Sequence, residues 1–211
     1  MVGATQWVCT SFFFAPAFLG GFSMTIFSSH ACAPKLAALV ATLLLVVTPA
    51  QAFETEAIGK LTANFGGEAI TQPTVHIQSG KEKSNTAFLF VQKVGFSNLS
   101  LSGYSADNKR LGIDVSYMSL QPGPKTAQIE QTVTYAPGGS TAFWTSDGAP
   151  KPAKITFTTF EAKGNEGRAI GKFEALVCYV KTPTAEPDTK NCRPIEGSFD
   201  TKFFVEKQSA S

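Results

Sequence analysis

Apolar and polar residues alternate with period two along nearly all of the chain beyond residue 53. Gly, Pro and Asn-Asp clusters break that alternation about every ten residues, the spacing of short strands joined by turns. FETEAIGKLTANF reads as a first strand or strand pair ended by Gly66-Gly67, and TVHI (74–77) as a short strand after Pro73. In TAFLFVQKV, Phe88 and Phe90 share one face and Leu89 and Val91 the other, as expected of a central strand. FSNLSLSGY places Leu99 and Leu101 together, and SADNKR is a turn signal. RLGIDVSYM then alternates cleanly, with Leu111, Ile113, Val115 and Tyr117 on one side. AQIEQTVTY sets Ile129, Val133 and Tyr135 inward and Glu130, Thr132 and Thr134 outward. TAFW and KITFTTFEA follow as strands. GRAIGKFEALVCYV and CRPIEGSFDTKFFV form a hairpin around a Pro-rich connection, Lys181 to Asn191, with Ile195, Phe199, Phe203 and Val205 facing in.

No stretch of this region has helical periodicity. The pattern predicts an all-β fold, an antiparallel β-sandwich of jelly-roll type. Residues 86–94 and 170–180 are apolar on both faces, which favours the sandwich; a small closed β-barrel satisfies the same periodicity.

The chain ahead of the strands has a different character. Its first charged side chain is Lys35 and the next is Glu54, with LAALVATLLLVVTPAQA between them. A basic residue, an apolar core and a small-x-small site at Ala50-Gln51-Ala52 make a secretory signal layout. Leu36 to Val47 is shorter than the ~20 apolar residues that span a bilayer, so no stable membrane span is expected after cleavage. Residues 1–52 therefore read as a signal peptide with its helix, and translation from Met24 would give that signal an ordinary n-region. Residues 53–206 read as one domain and 207–211 as a disordered tail.

Composition narrows the classes. Eighteen Lys and Arg against sixteen Asp and Glu give a net charge of +2, with no basic stripe, which argues against a nucleic-acid partner. Two cysteines, Cys178 and Cys192, follow the leader, and in an oxidising compartment one disulfide is their simplest state. A redox or metal pair lacks CxxC spacing and a nearby His, and no metal or cofactor is expected.

Catalytic constellations are hard to assemble. His76 is the only histidine after the leader, and no G-x-S-x-G elbow accompanies it, so it reads as a strand residue. Asp107 stands beside two bases, outside any D-x-D-x-D run. A glycosidase-type carboxylate pair would have to come from Asp114, Glu130, Glu174, Glu196 or Asp200, each on the polar side of an alternating strand. Asn98-Leu99-Ser100 fits the glycosylation pattern but reads equally as strand. Phe143-Trp144 stands out as a candidate binding surface. Adjacent strand residues point to opposite faces, and two loop signals bracket the pair.

KLTANFGGEAI, KITFTTFEA, GKFEALVC and EGSFDTKF fall in an order that resembles uncharacterised exported bacterial β-sandwich domains. In these a Gly-x-Phe strand precedes a Gly-x-Phe-Asp strand, here Gly171-Lys172-Phe173 and Gly197-Ser198-Phe199-Asp200. The resemblance implies the same fold and an extracytoplasmic, periplasmic or secreted location; it carries over no catalytic residue. The expectation is a non-enzymatic module of the bacterial envelope that binds a ligand or an envelope protein. A hydrolase or carbohydrate-active enzyme with dispersed carboxylates is one alternative, and an envelope structural protein is the other.

Overall fold

The computed structural model describes residues 54–208. The signal segment, the Met24 start and the last residues of the tail lie outside them. The described chain is all β, with eleven strands in one hydrogen-bonded mixed sheet and no helix among the described residues. The strands are β1 (Glu54–Phe65), β2 (Glu68–Ser79), β3 (Glu82–Asn85), β4 (Ala87–Val91), β5 (Ser97–Tyr104) and β6 (Arg110–Tyr117). They continue with β7 (Gln128–Ala136), β8 (Phe143–Thr145), β9 (Lys154–Lys163), β10 (Glu166–Val180) and β11 (Asp188–Lys207).

The β10–β11 hairpin organises the sheet. β11 is 20 residues long and pairs with β10 along one edge, from Phe204 opposite Glu166 to Asp188 opposite Tyr179. Its other edge is shared: Ile195 to Thr201 take β1, and Phe204 to Lys207 take β4. From β4 the pairing passes through β5, β6, β7 and β8 and returns to β10, so the ladder runs in a closed circuit. β1–β2–β3 branches from β11, and β9 from β10.

Five local expectations shift, the first being that β2 runs from Glu68 to Ser79 through Pro73 instead of over 74–77 alone. The β11–β4 pairing is parallel, whereas a wholly antiparallel sheet was expected. β5 to β10 lie between β4 and β11 in the chain and give the pair the long connection that parallel strands need. Ile129 does not join Val133 and Tyr135 inside; it is 56% exposed. A bulge sets Ser116 opposite Glu130 and Tyr117 opposite Gln128, so the register skips Ile129. The β10–β11 connection is shorter than Lys181 to Asn191, because pairing resumes at Asp188. The domain also reaches past 206, since β11 ends at Lys207 and the Gln208 N–H donates to the Val91 carbonyl at 3.0 Å.

One apolar cluster fills the inside. Leu111, Ile113, Val115 and Tyr117 are fully buried, as their alternation requires, together with Ile195, Phe199 and Phe203. Phe157 stacks on Phe160 at 4.8 Å and meets Phe199 edge-on at 5.4 Å.

The two Gly-x-Phe strands gain a physical reason in the hairpin register. Gly171 lies opposite Phe199 and Phe173 lies opposite Gly197, so each ring crosses a glycine on the partner strand. A Cβ at Gly171 would stand 2.5 Å from the Phe199 ring, and one at Gly197 2.6 Å from Phe173. Gly167 repeats the arrangement under Phe203. Bulges between Ala57 and Gly59 and between Ile170 and Gly171 add local twist to the flanking strands.

A solvent-open groove as the candidate functional site

On the outer face of β1, β11, β10 and β9, cross-strand register lines polar side chains into rungs. One rung reads Thr62, Ser198, Lys172, Thr156, and the next reads Asn64, Glu196, Glu174, Lys154. They line a hollow of about 660 Å³. It shares Asn64, Lys154, Glu174 and Glu196 with a second of about 790 Å³, bounded further on by Pro152, Leu176 and Pro194. A third of about 210 Å³ continues it past Lys60 and Asp200. The three make one groove along the strands, roughly 20 Å from the Lys60 rung to Gly66 at about 3.3 Å per residue.

Charge in the groove is only partly compensated. Asp200 accepts from Arg168 at 2.9 Å, and Lys154 lies 3.5 Å from Glu174. Among the described residues, Lys172 and Glu196 enter no ion pair. Glu174 and Glu196 are directly opposite one another, a like-charge pairing that works against hairpin stability. Thr62 and Ser198 hydroxyls share a hydrogen bond of 2.9 Å, and Thr62 Oγ1 also lies 3.4 Å from the Ser198 carbonyl oxygen. All these strands have hydrogen-bonded neighbours across the floor, so recognition here falls to side chains rather than to backbone.

The sequence-predicted residues occupy several places. Cys178 and Cys192 are directly opposite and joined by a disulfide. Phe143 is half-buried opposite Val180, and Trp144 is only 8% exposed. The Trp144 indole lies edge-on to Phe65 at 5.2 Å and to Tyr179 at 5.4 Å, with the Arg193 guanidinium 5.1 Å above it. It caps one end of the core beneath a cation rather than standing open at a rim. His76 shares a 2.7 Å hydrogen bond between Nδ1 and Asn85 Oδ1, and its ring lies 5.3 Å from Phe204, with no nucleophile among those neighbours. Asp107 belongs to the β5–β6 turn, 3.3 Å from Lys109. Among the described residues, no three His, Cys, Asp or Glu side chains gather as a metal would require.

Of the five candidate carboxylates, Glu174, Glu196 and Asp200 share the groove, whereas Asp114 and Glu130 belong to β6 and β7. Burial raises the Asp114 carboxyl above its ordinary value, and the Glu130 charge adds to this. The Ser100 hydrogen bond and the Arg110 charge oppose the shift without cancelling it. An acid with a raised folded-state pKa favours the fold below the unfolded carboxylate range, and that advantage is lost as pH rises through the folded value. Asp114→Asn should therefore melt higher than the parent at neutral pH and converge with it below about pH 4. Thermal melts across that range check this; a variant less stable at pH 7 would refute it.

Thr62, Asn64, Lys154, Thr156 and Lys172 were not singled out in the sequence. Each is the polar half of an ordinary alternation, and only the register of four strands, one of them (β1) distant in sequence from the other three, brings them together. Fold and site define a class: an all-β, disulfide-stapled domain with a polar, mixed-charge groove. No family model, curated protein or solved structure matches the chain.

Proposed function

We propose that the chain is an exported, non-enzymatic binding module of the bacterial envelope, acting in the periplasm or outside the cell. Its groove receives an extended polar ligand. The observation that carries this reading is the continuous groove across β1, β11, β10 and β9, which presents an unpaired ammonium, an unpaired carboxylate and several hydroxyls. Ligand sites are concave, with a few placed polar groups that fix orientation, and this surface has that form. The signal layout and the disulfide support the compartment. The closed circuit of pairings favours a barrel-type closure over the two separate sheets of a sandwich.

Native mass spectrometry of the protein recovered from its own compartment tests the proposal. A reproducible co-purified mass is expected, with occupancy in Lys172→Glu lower by about tenfold, the equivalent of one lost charged contact. Repeated absence of any adduct in the parent would sink it.

Glu174 and Glu196 favour a second reading, a carbohydrate-active enzyme. Opposed strand residues hold their Cβ atoms about 5 Å apart, from where two carboxyls can reach the ~5 Å separation of retaining glycosidases. That chemistry builds its acid by burying one carboxyl in an apolar pocket. Glu174 is 59% exposed beside Lys154, so binding is the better-supported function. Glycoside turnover abolished by Glu174→Gln or Glu196→Gln would reverse that order.

A further inference from the structure

The groove uses the outward side chains of β9; the backbone edge of that strand is a separate surface. We infer that this edge, from Phe157 to Lys163, accepts an extended segment of a partner polypeptide, which adds there as a further strand. Among the described residues β9 pairs only with β10. Its inward-facing residues turn their backbone N–H and C=O away from β10, and the start of the strand shows what that edge demands. The Ile155 N–H donates to Gln131 Oε1 at 2.6 Å, and its carbonyl accepts from Gln128 Nε2 at 3.1 Å. Two carboxamides, one accepting and one donating, thus stand where the peptide groups of a neighbouring strand would be.

β7 begins at Gln128, so this side-chain substitute stops beside Ile155, and among the described residues the edge at Phe157 and Phe160 has none. Hydrogen-bonding capacity is also left over at this point. Gln128 Oε1 and the Tyr117 hydroxyl are buried without partners, on residues that are direct cross-strand neighbours. The Tyr117 ring lies 5.6 Å from that of Phe160, which places the β6–β7 loop at the open end of β9. Met118 and Leu120 in that loop are 71% and 50% exposed, and Ile129 near the start of β7 is 56% exposed, apolar side chains suited to those of an added strand.

A second copy of the chain fits poorly. Self-pairing centred on Phe160 opposes Phe157 with Lys163, and centring on Glu161 opposes that carboxylate with itself. The register that matches Lys154 with Glu161 needs the Ile155 edge that the two glutamines already hold.

Backbone amide exchange on the purified protein tests the inference. The probe is a synthetic peptide of residues 166–174 (EGRAIGKFE), the sequence that already pairs with β9 on its other side. Phe157 and Phe160 amides should exchange fast in the protein alone and about tenfold or more slower with peptide. In Gln128→Ala/Gln131→Ala the footprint should extend to Ile155, and Lys172→Glu, altered only in the groove, should retain it. If the double variant does not fold, the parent protein still decides. Amides already slow without peptide, amides unchanged by it, or protection that appears only with a concentration-dependent dimer would each overturn the inference.

Discussion

Gly197→Ala is expected to cost about 3 kcal/mol or more, at the upper end of overpacking effects in a closed interior. The added Cβ would stand 2.0 Å from the Thr62 carbonyl oxygen and 2.6 Å from the Phe173 ring. A ring turns aside at modest cost, but the carbonyl is backbone of β1, fixed by its ladder to β11 from Leu61–Phe199 to Phe65–Ile195. Relief therefore requires β1 to move away from the hairpin, which opens the groove floor as well. Gly139→Ala is the matched control. It meets nothing within 4 Å, and its φ of +71° carries only the local strain of a left-handed residue, about 1 kcal/mol. Urea midpoints of the two variants check the contrast, and a Gly197→Ala protein as stable as its parent would refute the packing account.

Reduction of the Cys178–Cys192 disulfide should lower stability by about 3 kcal/mol, the chain-entropy value for a loop of this size, without unfolding the protein. The bridge spans 14 residues of sequence and ties the loop end of the hairpin, where the register shifts before Asp188 meets Tyr179. What it does not hold is the core: Phe199 packs on Phe157 and Phe203 on Phe160, both rings well along β11 from Cys192. Melting in the presence and absence of reductant, repeated with Cys178→Ala/Cys192→Ala, gives the difference directly. Alanine is the right replacement because Cys178 is fully buried and a serine there would bring an unsatisfied hydroxyl. A reduced protein unfolded at room temperature would show that the interior cannot support itself.

Much of the fold was legible because a strand's face is a local property. Leu111 to Tyr117 and Ile195 to Phe203 alternate with period two; burial follows that period in β11, whereas in β6 Gly112 and Ser116 on the opposite face are covered too. Ile129 shows where the local rule ends. The bulge that expels it depends on how Ser116 and Tyr117 pair with β7, and two partners' register cannot be read from one strand. The parallel β11–β4 contact is likewise a matter of where a distant segment arrives, not of any residue pattern within it.

Trp144 makes the same point for function. Its rarity and loop-flanked position drew notice to it, yet its surroundings are supplied by Phe65, Tyr179 and Arg193 from three other strands, and they place it at the end of the core. The groove residues went unnoticed for the complementary reason. A threonine or lysine on the polar face of a strand has the same sequence signature whether the sheet behind it is convex or hollow.

The amino-acid sequence by itself determined the all-β class, most of the strand faces and the pairing of Cys178 with Cys192. Each of these follows from the two-residue period, from backbone preferences or from there being two cysteines in the strand region. The tertiary structure alone decided the circuit of strands, the Gly-over-Phe packing and the polar groove of β1, β11, β10 and β9. Those features depend on register between strands, some of them more than a hundred residues apart as where Thr62 meets Ser198, and registry is fixed only when the strands' buried faces close on a common core.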